Sequence, residues 1–328
     1  MILVLSHHRD EHAQSVMVEL SRRGAQAQLL DLSRFPLQLG LSMHYTGARS
    51  HFVFGCDEHG LALDDCGSIW WRRPQHPSVD QAVQRQSHQH FALNESVEAL
   101  TGLWHAVDAF WINDPARDQV AQRKAYQLDV ARRLGLEIPE TLITNCPQAA
   151  REFVHRLGHE RVIYKSFSAT EQEWRETRVL KENELALLDN VKYAPVIFQS
   201  YIEADVDLRI TVVGEHIFPA AIHSQDTDYK VDFRIDIGKA RIEPAMLPAD
   251  VQAKLRALMQ HLGLVYGAID MRRRPDGSHV FLEVNPAGQW LFIERASGQR
   301  ITEALADALV RNDAQPSARL TAPQSARM

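Results

Sequence analysis

Two apolar runs near the C-terminal end of the 328-residue sequence, Gly267-Ala268-Ile269-Asp270-Met271 and Phe281-Leu282-Glu283-Val284-Asn285-Pro286, carry three oxygen-bearing side chains where each run ends. Between them stands Arg272-Arg273-Arg274-Pro275-Asp276-Gly277-Ser278, and Pro-Asp-Gly is turn chemistry, so the spacing predicts a hairpin that brings Asp270 and Glu283 together. Glu283 and Asn285 are two apart and share a strand face. A carboxylate and an amide buried side by side require a positive partner. One of the arginines at 272 to 274 satisfies this if the residues merely cap a hairpin end. Three hard oxygen donors in one place favour magnesium instead, which takes one or two carboxylates together with nucleotide phosphates in octahedral geometry.

Length and composition bound the rest. The chain is long enough for two or three domains, each with its own core. With 45% hydrophobic and 24% charged residues it has the composition of an ordinary globular protein, and a net charge of −6 gives no reason to expect a nucleic-acid binder. Cys56, Cys66 and Cys146 are scattered, with no C-x-x-C pair, which argues against a zinc site or a disulfide framework and for a reducing, cytoplasmic compartment. Met1-Ile2-Leu3-Val4-Leu5 is too short for a signal peptide and is stopped by His7-His8-Arg9-Asp10; no segment is suited to cross a membrane.

The first unit opens as βαβ: a strand at 2–5, a helix at 10–23 with Val16, Met17 and Leu20 on one face and Gly24 as its C-cap, and a strand at 27–32. Hairpin signals at 52–60, the run Ile69-Trp70-Trp71-Arg72-Arg73-Pro74, a helix at 79–107 and a strand at 110–112 follow, and Asn113-Asp114-Pro115 closes the unit. Neither G-x-G-x-x-G nor a Walker A sequence occurs, so this βαβ unit does not hold a nucleotide by either common route. His7, His8, Arg9 and Asp10 stand at a helix N-terminus suited to an anion, although Asp10 as a simple cap is the more economical reading. His88 and His90, two apart on a helix, face different ways and are poor joint ligands.

The second unit begins with an amphipathic helix at 118–135 carrying Lys124, an extended segment at 138–143 and a helix at 147–158. Arg161-Val162-Ile163-Tyr164-Lys165 is a short strand ending in lysine; such a lysine often snorkels to solvent from a sheet edge. Here it leads into Ser166-Phe167-Ser168-Ala169-Thr170, small polar residues suited to a lid over phosphate oxygens. Pro195 to Glu203 reads as a buried strand that turns polar at its end, suited to lining a base and ribose pocket. Asp207 and Arg209 share one strand face, as do Asp232 and Arg234; either pair alone is an ordinary surface pair worth under about 1 kcal/mol.

Taken in order, Lys124, Val162 to Lys165, Phe198-Gln199 to Glu203, Asp207-Leu208-Arg209, Asp270 and Glu283-Val284-Asn285-Pro286 resemble an ATP-grasp ligase over nearly the whole chain. The runs Trp70 to Pro74, Gln199 to Arg209 and Phe281 to Trp290 are most similar to the graspetide synthetases, the microviridin-type peptide macrocyclases. The resemblance implies an α/β (α+β) ATP-grasp fold: an N-terminal βαβ pre-ATP-grasp domain at 1–114, a central and lid subdomain at 115–201 and a C-terminal catalytic subdomain at 202–311; the stretch 312–328, rich in Ala, Pro, Ser, Gln and Arg, reads as a disordered tail.

It also implies roles. Lys124 and Lys165 would hold ATP phosphates, Gln199, Tyr201, Ile202, Glu203 and Asp207 the nucleotide, and Asp270, Glu283 and Asn285 magnesium, expected as two ions. Arg209 and Arg234 would face the reacting phosphate and carboxylate. The implied reaction activates an Asp or Glu side chain of a precursor peptide, recognised with its leader segment, as an acyl phosphate, and closes an ω-ester or ω-amide ring with Thr, Ser or Lys. The implied assembly is a homodimer. Ligation of free amino acids, or of glutamate to a protein, is the alternative. A nucleotide-binding protein without turnover would be expected to have lost a metal ligand, and none is lost. One departure stands out: the lid at 166–170 has no glycine.

Overall fold

The computed structural model describes residues 1–47, 49–56, 60–167 and 176–314, and these divide into two compact units. The first comprises 1–118, 263–266 and 300–314. Its centre is a parallel sheet of order β2-β1-β6-β7, with β1 (Ile2–Leu5), β2 (Ala27–Leu30), β6 (Ser68–Trp71) and β7 (Phe110–Ile112). All four residues of β1 are buried, as a continuous apolar run in a covered parallel strand requires. Helix α1 (Glu11–Arg22) packs on β2, and a separate antiparallel sheet is formed by β3 (Leu41–Tyr45), β4 (Ser50–Phe54) and β5 (Leu61–Ala62). The hairpin expected at 52–60 is thus a three-stranded piece; residues 57–59 lie outside the described ones.

Three tryptophans knit this unit together: the ring of Trp71 lies 6.1 Å from that of Trp104 and 6.3 Å from that of Trp111, edge to face. Helix α2 (Gln86–Ala106) starts later than the expected residue 79. Asp80 is the reason. Its carboxylate accepts from Ala82 N at 2.6 Å and its carbonyl from Val83 N at 3.0 Å, a local turn that competes with helix.

Asp10 caps α1, as the simpler reading has it, accepting from His12 N at 3.0 Å, and it does more. It also accepts from the Ser6 hydroxyl at 2.9 Å and from Arg72 Nε at 3.1 Å. Arg72, from the Trp-Trp-Arg-Arg-Pro run, is 1% exposed. The anion at this helix N-terminus is therefore the protein's own carboxylate.

The first unit also takes the last helix, α8 (Ile301–Asp313), which was expected to end the 202–311 segment. Its buried Leu305 and Leu309 pack it on α1 and β6, and Leu309 O accepts from the Ser68 hydroxyl at 2.8 Å. The expected tail loses its first residues to this helix because Asp313 has partners, the Met1 amino group at 3.0 Å and Gly67 N at 3.1 Å. Residues 315–328 lie outside the described ones.

The second unit comprises 119–262 and 267–299. One four-stranded antiparallel sheet has the order β10-β9-β11-β8, from β8 (Thr141–Thr144), β9 (Val162–Lys165), β10 (Arg178–Val179) and β11 (Val196–Ser200). Helix α5 (Pro147–Leu157) covers β8, with Phe153 and Val154 in a core shared with Phe198. A five-stranded sheet has the order β14-β13-β12-β15-β16: β12 (Val206–Val213), β13 (His216–Ile222), β14 (Ile242–Pro244), β15 (Tyr266–Arg273) and β16 (His279–Asn285). Helices α4 (Lys124–Arg133), α6 (Ala249–Leu262) and α7 (Leu291–Ser297) complete the unit.

Two expectations change. The single helix at 118–135 is two, α3 (Pro115–Ala121) and α4, because Gln127 Nε2 takes the Ala121 carbonyl at 2.6 Å where a helical amide would have been. Lys165 ends β9, which is paired on both sides and so is not an edge strand. Asp232 and Arg234 lie in a loop, not a strand; its backbone is tied by side chains, such as the Thr227 hydroxyl on Ser224 O at 2.7 Å and Asp236 on Tyr229 N at 3.0 Å. Among the described residues no helix is long and apolar enough to cross a membrane.

Burial by itself would raise the Asp10 carboxyl, but Arg72, the Ser6 hydroxyl and His12 outweigh it and hold the group below its usual range. Stability from this pair is therefore fully present above the unfolded carboxylate value of about 4 and is lost as pH falls through the lower folded value. Asp10→Ala, which strands Arg72 in the interior, is expected to cost about 3–5 kcal/mol in urea unfolding at pH 7. A loss below about 1 kcal/mol would show that the pair is incidental.

Candidate active site

The hairpin expected from Pro275-Asp276-Gly277 forms, and it pairs Asp270 with Glu283 directly across β15 and β16. The register then shifts: Met271 pairs with Phe281, so Leu282 is an extra residue on β16. Such a bulge re-aims side chains. Here adjacent Leu282 and Glu283 both line the cleft, as do Asp270, Met271 and Arg272 on the facing strand.

Helix α4 reaches the same place through Gln127, which sequence reasoning missed. Its side-chain amide donates to Val284 O at 2.8 Å and its Oε1 accepts from Val284 N at 3.0 Å, clamping the helix on β16. Lys124, one turn earlier on that helix face, pairs with Glu283 Oε2. Asn285 Nδ2 donates to Glu283 Oε1 at 3.3 Å. The arginines at 272–274 are engaged elsewhere, with Asp207, Asp205 and Glu137, so Glu283 is not a hairpin-end partner of theirs.

Cross-strand ion pairs replace the same-strand pair expected on β12. Asp207 Oδ1 accepts from Arg272 Nε at 2.8 Å, and Arg209 Nη1 donates to Asp270 Oδ1 at 2.8 Å. Arg209 Nη2 also donates to Gln289 O at 2.9 Å, and the residue is 6% exposed. Its seat depends on Gly288, where a Cβ would come within 2.9 Å of Arg209 Nη2 and 2.4 Å of the Ala268 Cβ.

The cleft, with a volume of about 130 Å³, is further lined by Lys165, Ser166, Phe167, Gln199, Tyr201, Ile202, Asp207, Asp232 and Arg234. Residues 168–170 of the expected lid lie outside the described residues. Glu203 is exposed and borders an adjoining hollow with Tyr201 and Ile202 rather than the cleft. Asp232 and Arg234 do pair, through Arg234 Nε at 2.7 Å.

Electrostatics sort these groups. Burial raises the Asp270 carboxyl, Arg209 opposing and the Glu283 charge adding to it. Burial acts the same way on Glu283, but Lys124 and Lys165 outweigh it and hold the carboxyl low. The Lys165 amine is pushed down by burial, against the pull of Glu283. It makes no hydrogen bond or ion pair among the described residues, so an incoming anion would stabilise it. Gln199 is fully buried; its Nε2 donates to Thr141 Oγ1 at 2.9 Å, while its Oε1 has no partner among the described residues. A buried acceptor in that state takes a donor from a water or a ligand.

The facing carboxylates and the neighbouring amide are oxygen donors of the kind a hard divalent cation takes. Gly288→Ala is expected to cost about 1–3 kcal/mol by crowding, and Arg209→Ala about 3–5 kcal/mol by leaving Asp270 unpaired. Both act on one seat, so the double variant should lose less than the sum in denaturant unfolding; full additivity would separate Gly288 from Arg209.

Residues 1–119 match the family described as the MvdD pre-ATP grasp domain, and residues 121–309 match the RimK-like ATP-grasp domain. The chain is similar to the macrocyclase MdnC of Microcystis aeruginosa MRC, solved bound with precursor peptide MdnA, with a TM-score of 0.83 and 29% identity, covering 94% of this chain and 99% of that one. It is similar to a RiPP-associated ATP-grasp ligase of Chryseobacterium gregarium, in complex with ADP and a leader and core peptide, with a TM-score of 0.85, 27% identity and coverage of 94% and 96%. A probable alpha-L-glutamate ligase 2 of Shewanella amazonensis is 26% identical over 214 residues, 64% of this chain and 70% of that protein. With the RimK-like match spanning more than half of its length and the facing carboxylates, lysines and arginines in one cleft, the chain belongs to the RimK-like ATP-grasp family and is an ATP-grasp ligase.

Proposed function

We propose that the protein is a graspetide synthetase: it phosphorylates Asp or Glu side chains of a precursor peptide with ATP and closes ω-ester or ω-amide rings with Thr, Ser or Lys. The observation that carries this reading is the likeness to peptide macrocyclases over both units, 94% of the chain, together with the MvdD match at 1–119. Glutamate ligation is the second reading, favoured by the curated relatives, whose likeness spans about two thirds of the chain.

In this reading Lys124 and Lys165 hold the polyphosphate, which gives Lys165 the anion it lacks. Gln199 Oε1 accepts from the exocyclic amine of adenine, with Tyr201 and Ile202 beside the base, Glu203 at the ribose end and Asp207 fixing the wall through Arg272. Asp270, Glu283 and Asn285 hold magnesium, which when bound neutralises charge on the phosphates. Arg234 lines the cleft and orients the peptide carboxylate, while Arg209 fixes Asp270 beside it.

Bringing a carboxylate to a polyphosphate sets two anions together, so alignment by fixed cations is most of the catalytic task. The carboxylate oxygen bonds to the γ-phosphorus as the bond to ADP breaks. The hydroxyl or amine of the second side chain then bonds to the acyl carbon, gives up its proton, and phosphate departs. The planar fork of Arg234 suits a carboxylate in a way an ammonium does not.

Incubation with ATP, magnesium and the cognate peptide is expected to give ADP and a peptide lighter by one water mass per ring, read by mass spectrometry. Release of AMP and pyrophosphate would sink the acyl-phosphate route, and a peptide heavier by glutamate residues would establish the second reading. Because Gln199 Nε2 is engaged with Thr141, its Oε1 needs a donor at the 6-position of the purine, where adenine has an amine and guanine a carbonyl acceptor. GTP should therefore support turnover at least about tenfold less well than ATP, and equal use of both would remove Gln199 from base recognition.

A further inference from the structure

Arg272 was read from the sequence only as one of three hairpin arginines, yet it is 4% exposed and lines the cleft. Its guanidinium bonds in several directions at once. Nε donates to Asp207 Oδ1 at 2.8 Å, Nη1 to Ile202 O at 2.7 Å, and Nη2 to Lys230 O at 2.7 Å and Val231 O at 3.0 Å. The Tyr201 ring stacks 5.3 Å from its central carbon. Its contacts therefore reach two separate stretches of chain, 201–203 and 228–236, neither of which is helix or strand.

Both stretches line the cleft and meet at this guanidinium. Tyr201 and Ile202 continue β11 beyond Gln199, where we place the purine. Lys230 and Val231 lead directly into Asp232, which accepts from Arg234 Nε at 2.7 Å and from Thr177 N at 3.3 Å, and the Tyr229 hydroxyl donates to Thr177 O at 2.8 Å. Segments without a ladder of their own take their shape from side chains, and a buried carbonyl that loses its donor costs free energy. A guanidinium supplies five N–H groups in a fixed plane, whereas an ammonium supplies three from one point.

We propose that Arg272 is the positioning residue of this cleft: seated on β15 two residues beyond Asp270, it holds the nucleoside end and the Arg234 loop at a fixed separation. The inference rests on the nucleotide reading above. The competing explanation is that Arg272 only neutralises Asp207, with its carbonyl contacts incidental.

Arg272→Lys separates the two, because a lysine keeps a positive charge for Asp207 and cannot reach carbonyls on both segments. The full chain, Arg272→Lys and Arg272→Met are compared by hydrogen exchange and by calorimetric titration with ADP. In both variants amides within 201–203 and 228–236 are expected to exchange at least about tenfold faster while β12 and β15 stay protected, and the Kd for ADP to rise at least about tenfold. Wild-type exchange and affinity in Arg272→Lys would overturn the proposal, as would loosening of one segment alone. If Arg272→Met does not fold, the lysine variant decides. If the unaltered chain fails to bind ADP, the nucleotide reading falls, while the exchange pattern still judges the positioning role.

Discussion

Two ion pairs buried on neighbouring strands, Asp207 with Arg272 and Arg209 with Asp270, are the constraint on which the cleft depends. Charges this deep are tolerated only when paired and hydrogen-bonded on their remaining sides. That requirement recruits the surroundings: Ser224 bonds to Asp207, Gln289 O takes Arg209, and Ile202, Lys230 and Val231 turn their carbonyls to Arg272. Buried polar networks of this kind specify one arrangement, because any displacement strands a charge.

The network also decides what remains available to a ligand. Asp270 and Glu283 face each other across a hairpin rung, one raised by burial and the other held ionised by lysines. Among the described residues the Lys165 amine makes no hydrogen bond and the Gln199 oxygen has no donor, and both line the cleft. A molecule with an anionic tail and an amine-bearing ring meets both needs, so the case for a nucleotide rests on chemistry as well as on likeness. In the first unit the buried Arg72 is paired with Asp10, beside an aromatic core.

Much of this was legible beforehand. Turn chemistry at Pro275-Asp276-Gly277 led to the hairpin, and the i, i+2 spacing of Glu283 and Asn285 placed them side by side. Where the reading strayed, the cause was a side chain competing with backbone structure. Asp80 shortened α2, Gln127 split the helix expected at 118–135, and side-chain bonds such as those of Thr227 and Asp236 hold 228–236 as a loop. Gln127 itself was invisible because a glutamine on an amphipathic helix reads as a solvent-facing residue, and only the approach of β16 makes it a clamp.

The sequence by itself determined the element types, the hairpin, the family and the set of residues that carry charge toward one another, because periodicity, turn residues and motif order are local properties of the chain. Only the tertiary structure decided which charges pair. Asp207 and Arg209 share a strand face, yet each binds a partner more than sixty positions away. It likewise decided that α8 belongs with the N-terminal strands, and that Arg272 sits beneath the cleft rather than at the hairpin end. The physical reason is the same in each case: the strength of an ion pair and the gain from burying an apolar face depend on what is brought alongside, and chain spacing does not encode that distance.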